Sequence, residues 1–85
     1  MEKKYTNSRE LFEDSWQNFS ISQKKRLLLA TGSHPSFAVT KSPREMIDRG
    51  GGLAVNSVGR LMDRYLASKG GSITIDWKKK RKGLF

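Results

Sequence analysis

Apolar residues recur along this chain at two spacings, one helical and one alternating. Leu11, Phe12, Trp16 and Phe19 share a helical face behind Asn7. The step from Asn7 to Glu10 has capping-box spacing, so a first helix is predicted from Asn7 to about residue 19. Ser20 and Gln23 repeat that signal and open a second helix, which ends near Thr31 before Gly32. Leu27, Leu28 and Ala30 form its inner side, with Ile21 at its start. Residues 32–36 read as a loop around Pro35. The run SFAVT at 36–40 alternates Phe37 and Val39, which predicts a short strand.

Ser42-Pro43-Arg44-Glu45 joins a serine cap, a proline at the first helical position and a glutamate at the third. A short third helix is predicted to about Arg49, with Met46 and Ile47 inward and Gly50 in the left-handed closing position. Asn56 is the next good cap. The helix over 56–69 places Val58, Leu61, Met62, Tyr65 and Leu66 on one face. Ser57, Arg60, Asp63, Arg64 and Ala67 fall on the other. Gly70-Gly71 ends it. Residues 72–77 alternate with Ile73, Ile75 and Trp77 on one side, a half-buried strand whose natural partner is SFAVT. The expected fold is mainly α with a small β-sheet: four helices and two short strands, in one domain over 1–77 followed by a basic tail over 78–85.

Charge changes the picture. The chain has 85 residues, a net charge of +9 and no cysteine. Residues 1–19 hold three basic against four acidic side chains, and the remainder holds fourteen against four. A near-neutral first helix thus precedes a strongly basic body, which points to a polyanionic partner. Without cysteine there are no disulfides or thiolate metal sites. The longest apolar run, 27–30, is far short of a membrane span, and the first sixteen residues lack the apolar core of a signal peptide. A cytoplasmic protein with no membrane partner is expected.

In order, residues 20–77 resemble a winged helix-turn-helix domain. SPREMIDRG is similar to the positioning helix of that superfamily, and VNSVGRLMDRYLASKG to its recognition helix. SITIDW resembles the first wing strand, pairing back with SFAVT. The turn RGGGLAV is about one residue longer than the usual tight turn, and the chain after Trp77 is short for a full wing. The resemblance implies DNA binding through the helix after Asn56, with the basic tail in place of the missing wing strand.

Arg60 and Arg64 lie four apart on the polar side of that helix, and arginine makes bidentate contacts to guanine. Asn56 and Ser57 sit at its N-terminal end. Arg44 and the run Lys78, Lys79, Lys80, Arg81 and Lys82 complete the candidate DNA-binding set. Trp77 could stack on a base or belong to the core. Leu11, Phe12, Trp16 and Phe19 are candidates for a protein contact or for a homodimer through the first helix. Gly50, Gly51 and Gly52 lack the Gly-Lys-Ser/Thr of a phosphate loop. His34 is the only histidine, no serine has an evident histidine base, and no carboxylate pair is spaced for acid–base work. The chain is therefore read as a non-enzyme with no catalytic residues, no metal and no cofactor. The leading function is a small basic protein that binds double-stranded DNA, or RNA, as a transcriptional or replication accessory factor. The alternative is a phage or mobile-element accessory protein that binds and inhibits a host protein or nucleoprotein complex.

Overall fold

A computed structural model describes residues 2–78. Its order is β1 (Glu2–Tyr5), α1 (Ser8–Asn18), α2 (Ile21–Ala30), a 3-10 turn (Pro35–Val39), α3 (Pro43–Asp48), α4 (Gly52–Ser68) and β2 (Ile73–Asp76). The architecture is mainly helical, with four α-helices and a two-stranded antiparallel sheet among the described residues.

Local capping explains where the first three helices start. The Asn7 side chain accepts the Glu10 N–H at 2.9 Å and opens α1. Ser20 and Gln23 form the full reciprocal capping box on α2. The Ser42 hydroxyl accepts the Glu45 N–H at 3.2 Å, behind Pro43 at the start of α3. Each cap satisfies a backbone donor that the first helical turn leaves unpaired.

α4 begins earlier than its best side-chain cap predicts. Asn56 is an exposed residue inside the helix, and Gly51 is the N-cap with no side-chain hydrogen bond. Only Arg49, Gly50 and Gly51 separate α3 from α4, so the turn is not the lengthened one expected of RGGGLAV, because the third glycine and the residues after it are already helical. Gly50 takes a left-handed φ of 84°. Gly51 is needed for space: a Cβ there would lie 2.7 Å from Met46 Cγ, 2.8 Å from the Met46 carbonyl and 2.9 Å from Phe37 Cε1. The two glycines thus let α3 and α4 pack closely. Asn56 does not mark the helix start: the helix begins at Gly52, behind a Gly51 whose close approach to Met46 admits no side chain.

The sheet also differs from expectation. β2 pairs with the N-terminal strand in the register Glu2↔Asp76, Lys3↔Ile75, Lys4↔Thr74 and Tyr5↔Ile73. SFAVT is not a strand. Pro35 starts a 3-10 turn there, and His34 Nδ1 caps it by accepting the Ser36 N–H at 3.1 Å. The side chains follow suit: Ala38 is buried and Val39 exposed, the reverse of the alternation predicted. EKKY escapes a strand reading because only Tyr5 of that strand is buried.

The core gathers Leu11, Phe12, Trp16 and Phe19 from α1 and its end, Leu27 and Leu28 from α2, and Met46 from α3. Ala54, Val58, Met62 and Leu66 from α4 complete it with Tyr5, Ala38 and Ile75. Three inward expectations fail: Ile21, Ala30 and Ile47 are exposed. On α4, Leu61 and Tyr65 are only half-buried, because the buried row is 54-58-62-66 and those two lie at its edge. The aromatic face of α1 is core. Phe12 and Trp16 pack edge-to-face at 5.2 Å, and Trp16 is fully buried. Leu11, Phe12, Trp16 and Phe19 are therefore not an available surface for a partner or a dimer.

Candidate nucleic-acid interface

The helical period organises the outer surface of α4. Asn56, Arg60 and Arg64 each lie midway between successive members of the row Ala54, Val58, Met62 and Leu66. A two-residue step is about 200° of turn, so all three stand opposite the core. All three are exposed, and Ser57 beside them is half-exposed. Val58 and Met62 have no exposed surface, so the orientation of the helix is set by its buried side.

The arginines on this face make no ion pair with a described residue. Three other cations are paired among the described residues: Lys3 with Glu10 and Asp14, Arg9 with Glu13 at 3.9 Å, and Arg49 with Glu45 at 3.4 Å; Lys4, Lys25, Arg26, Lys41 and Lys69 are not. Among the described residues, Arg60, Arg64 and Arg44 have no ion pair. Asp63 lies between the two arginines of α4 in sequence but bridges neither. An unpaired guanidinium keeps its whole fork of donors for an incoming acceptor.

An open groove of about 600 Å³ runs where α1, α3 and α4 meet. Ser8, Arg9, Phe12 and Glu13 line one wall, Pro43 and Ile47 another, and Val55, Asn56, Gly59, Arg60 and Asp63 the third. The fold thus brings Asn56 and Arg60 together with Arg9, a residue the sequence pattern did not single out. Ser57, Arg64 and Arg44 do not line this groove. Lys78 is exposed, and its backbone N–H donates to Asp76 Oδ1 at 3.1 Å. Lys79, Lys80, Arg81 and Lys82 lie outside the described residues.

Lys24, Lys25 and Arg26 are consecutive in α2, and the fold divides them. Lys25 and Arg26 are exposed, but Lys24 is buried. Its ammonium donates to the Thr40 carbonyl at 3.0 Å and lies 5.5 Å from the centre of the Trp16 ring. Burial pushes this lysine below its usual pKa, and the Glu45 charge only partly offsets that. Thr40 is the hub of the contact. Its hydroxyl accepts the Trp16 Nε1–H at 3.0 Å and donates to the Phe37 carbonyl at 2.6 Å. Lys24 therefore joins α2 to the 3-10 turn, and of the cluster only its neighbours face solvent.

Trp77 closes the other end of the molecule. It is half-buried, packed edge-to-face on Tyr5 at 6.3 Å and on Phe19 at 6.0 Å. His34 is exposed and serves as a cap. Among the described residues no group of three or more histidine, aspartate or glutamate side chains is placed to hold a metal ion. No described helix is long and apolar enough to cross a membrane.

The chain matches no family model, no curated protein and no solved structure.

Proposed function

We propose that this protein binds duplex DNA by laying the outer face of α4 in the major groove. The observation that carries the reading is the ridge of Asn56, Arg60 and Arg64, directly opposite the core row and free of internal ion pairs. A helix fits the major groove, arginine pairs bidentately with guanine, and asparagine pairs with adenine. Two further observations support it. The three-residue link between α3 and α4 has the length of a helix-turn-helix connection, usually three or four residues and often with glycine. The net charge of +9 attracts phosphates. Reading RNA by the same helix is disfavoured, since the deep, narrow major groove of an A-form duplex does not admit side chains. The duplex reading is favoured over the protein-inhibitor alternative because the aromatic side chains of α1 that were candidates for a protein contact pack in the core.

The test is a binding titration against duplex DNA, single-stranded DNA and RNA at two salt concentrations. Duplex DNA should bind tightest. Arg60→Ala and Arg64→Ala should each weaken binding to a preferred duplex by about 1–3 kcal/mol while melting at the temperature of the parent protein. Unchanged affinity in both folded variants would remove α4 as the reader.

A further inference from the structure

Among the described residues, Leu53 is the most exposed of the large apolar side chains, at 84%. The other exposed ones among them are Ile21, Leu29, Val39 and Ile47, at 53%, 61%, 57% and 52%. Leu53 lies in the first turn of α4, in a stretch whose sequence reads as a turn. It stands seven residues before Arg60, two helical turns that bring it within about 20° of the same direction. It is three residues before Asn56. The outer ridge of α4 therefore runs Leu53, Asn56, Arg60 and Arg64, apolar at the N-terminal end, amide next, cationic beyond.

That order fits base edges better than phosphates. A phosphate row is matched by a continuous line of cations, and a leucine at its head contributes nothing to it. In the major groove, thymine alone among the four bases presents a methyl group, and apolar side chains contact it there. Leu53 and Arg60 are about 10 Å apart along the helix axis, a span over which a helix lying in the major groove meets only a few base pairs. Resting on the duplex-binding reading above, we infer that Leu53 contacts a thymine methyl and makes this protein specific for a site with a thymine within a few base pairs of the guanine read by Arg60. Burying the methyl against Leu53 also removes the exposed leucine from water.

Replacing thymidine by deoxyuridine removes the methyl and leaves base pairing intact. The experiment starts from a pool of duplexes with a randomised core, enriched on the full-length protein. The enriched duplex is then resynthesised with each thymidine in turn replaced by deoxyuridine. One position should weaken binding by about fourfold, the value of one buried methyl-sized group. Leu53→Ala should bind the thymidine duplex more weakly and lose its sensitivity at that position, while melting like the parent protein. Arg60→Ala should keep the sensitivity. The inference is overturned if the protein binds duplex yet every deoxyuridine substitution is neutral, if the sensitivity survives in Leu53→Ala, or if the bound pool shows no preferred sequence. Absence of any duplex binding overturns the inference together with the function on which it rests, so the two failures are distinct.

Discussion

The Trp77 indole N–H donates a 2.6 Å hydrogen bond to the Tyr5 hydroxyl, joining residues 72 apart in sequence. Tyr5 in turn donates to Asp14 Oδ2 at 2.5 Å, and Lys3 donates to the same oxygen at 2.8 Å. One hydroxyl therefore ties β1 to α1 and to the residue that follows β2. A two-stranded sheet is marginal by itself, and this chain of bonds holds it to the helices.

Tyr5→Phe keeps the ring and removes the bridge. The Trp77 N–H and one Asp14 lone pair are then left without the hydroxyl, and an unsatisfied polar group costs about 1–3 kcal/mol. Urea unfolding should show a destabilisation of this size, with altered tryptophan fluorescence in the folded state. An unshifted midpoint would mean that water replaces the hydroxyl at no cost.

The same cluster sets an acid limb. Burial pushes the Asp14 carboxyl up, but the hydrogen bonds from Lys3 and Tyr5 and the Lys3 charge outweigh it and leave the group below its usual value. A folded pKa below the unfolded one gives stability that is present above about pH 3.9 and lost as pH falls through the lowered value. Lys3 is the opposite case: its bonds to Asp14 and Glu10 raise its pKa. Its contribution is present below about pH 10.4 and lost as pH rises through the folded value. Asp14→Asn should flatten the fall in stability between about pH 5 and about pH 2. Parallel stability–pH curves for variant and parent would contradict this.

Packing on α4 separates neighbours in sequence. Met62 has no exposed surface, whereas Leu61 is half-buried at the edge of the core. Met62→Ala should cost about 2–5 kcal/mol, enough to threaten folding in a domain of this size. Leu61→Ala should cost clearly less. Equal losses in denaturant titrations would show that the helix is rotated from the orientation described.

The turn before α4 offers a paired test. Gly51→Ala puts a methyl against the Met46 backbone and should destabilise by about 1–3 kcal/mol. At Gly52 a Cβ meets nothing within 4 Å, so Gly52→Ala should be neutral or stabilise by up to about 1 kcal/mol. Melting temperatures that move in the same direction for both would refute the close approach at Gly51.

The basic segment tests the electrostatic part of DNA binding. Deleting 79–85 removes Lys79, Lys80, Arg81 and Lys82. For every phosphate these residues neutralise, the deletion should lower the salt slope of log K by about 0.9 and weaken binding to all sequences alike. A truncated protein with the full salt-dependent affinity would assign phosphate neutralisation to the helical body.

The sequence by itself determined the first three helices, because their signals act within a few residues. Asn7, Ser20 and Ser42 each meet a donor three positions on, and periodicity marks which side turns inward. It also determined that Arg60 and Arg64 face outward, since a row every fourth residue leaves its opposite side to water. The tertiary structure decided the rest. Whether EKKY or SFAVT pairs with 73–76 depends on contacts across most of the chain: Tyr5 of EKKY bonds to Asp14 and Trp77, while SFAVT folds as a 3-10 turn behind Pro35. The start of α4 depends on the space beside Met46, so the glycine that fits it outranks the asparagine that would cap it. Leu53 joined the outer ridge only with that earlier start. Lys24 left the basic surface because Thr40 and Trp16 receive its ammonium, and no local pattern could place those two beside it.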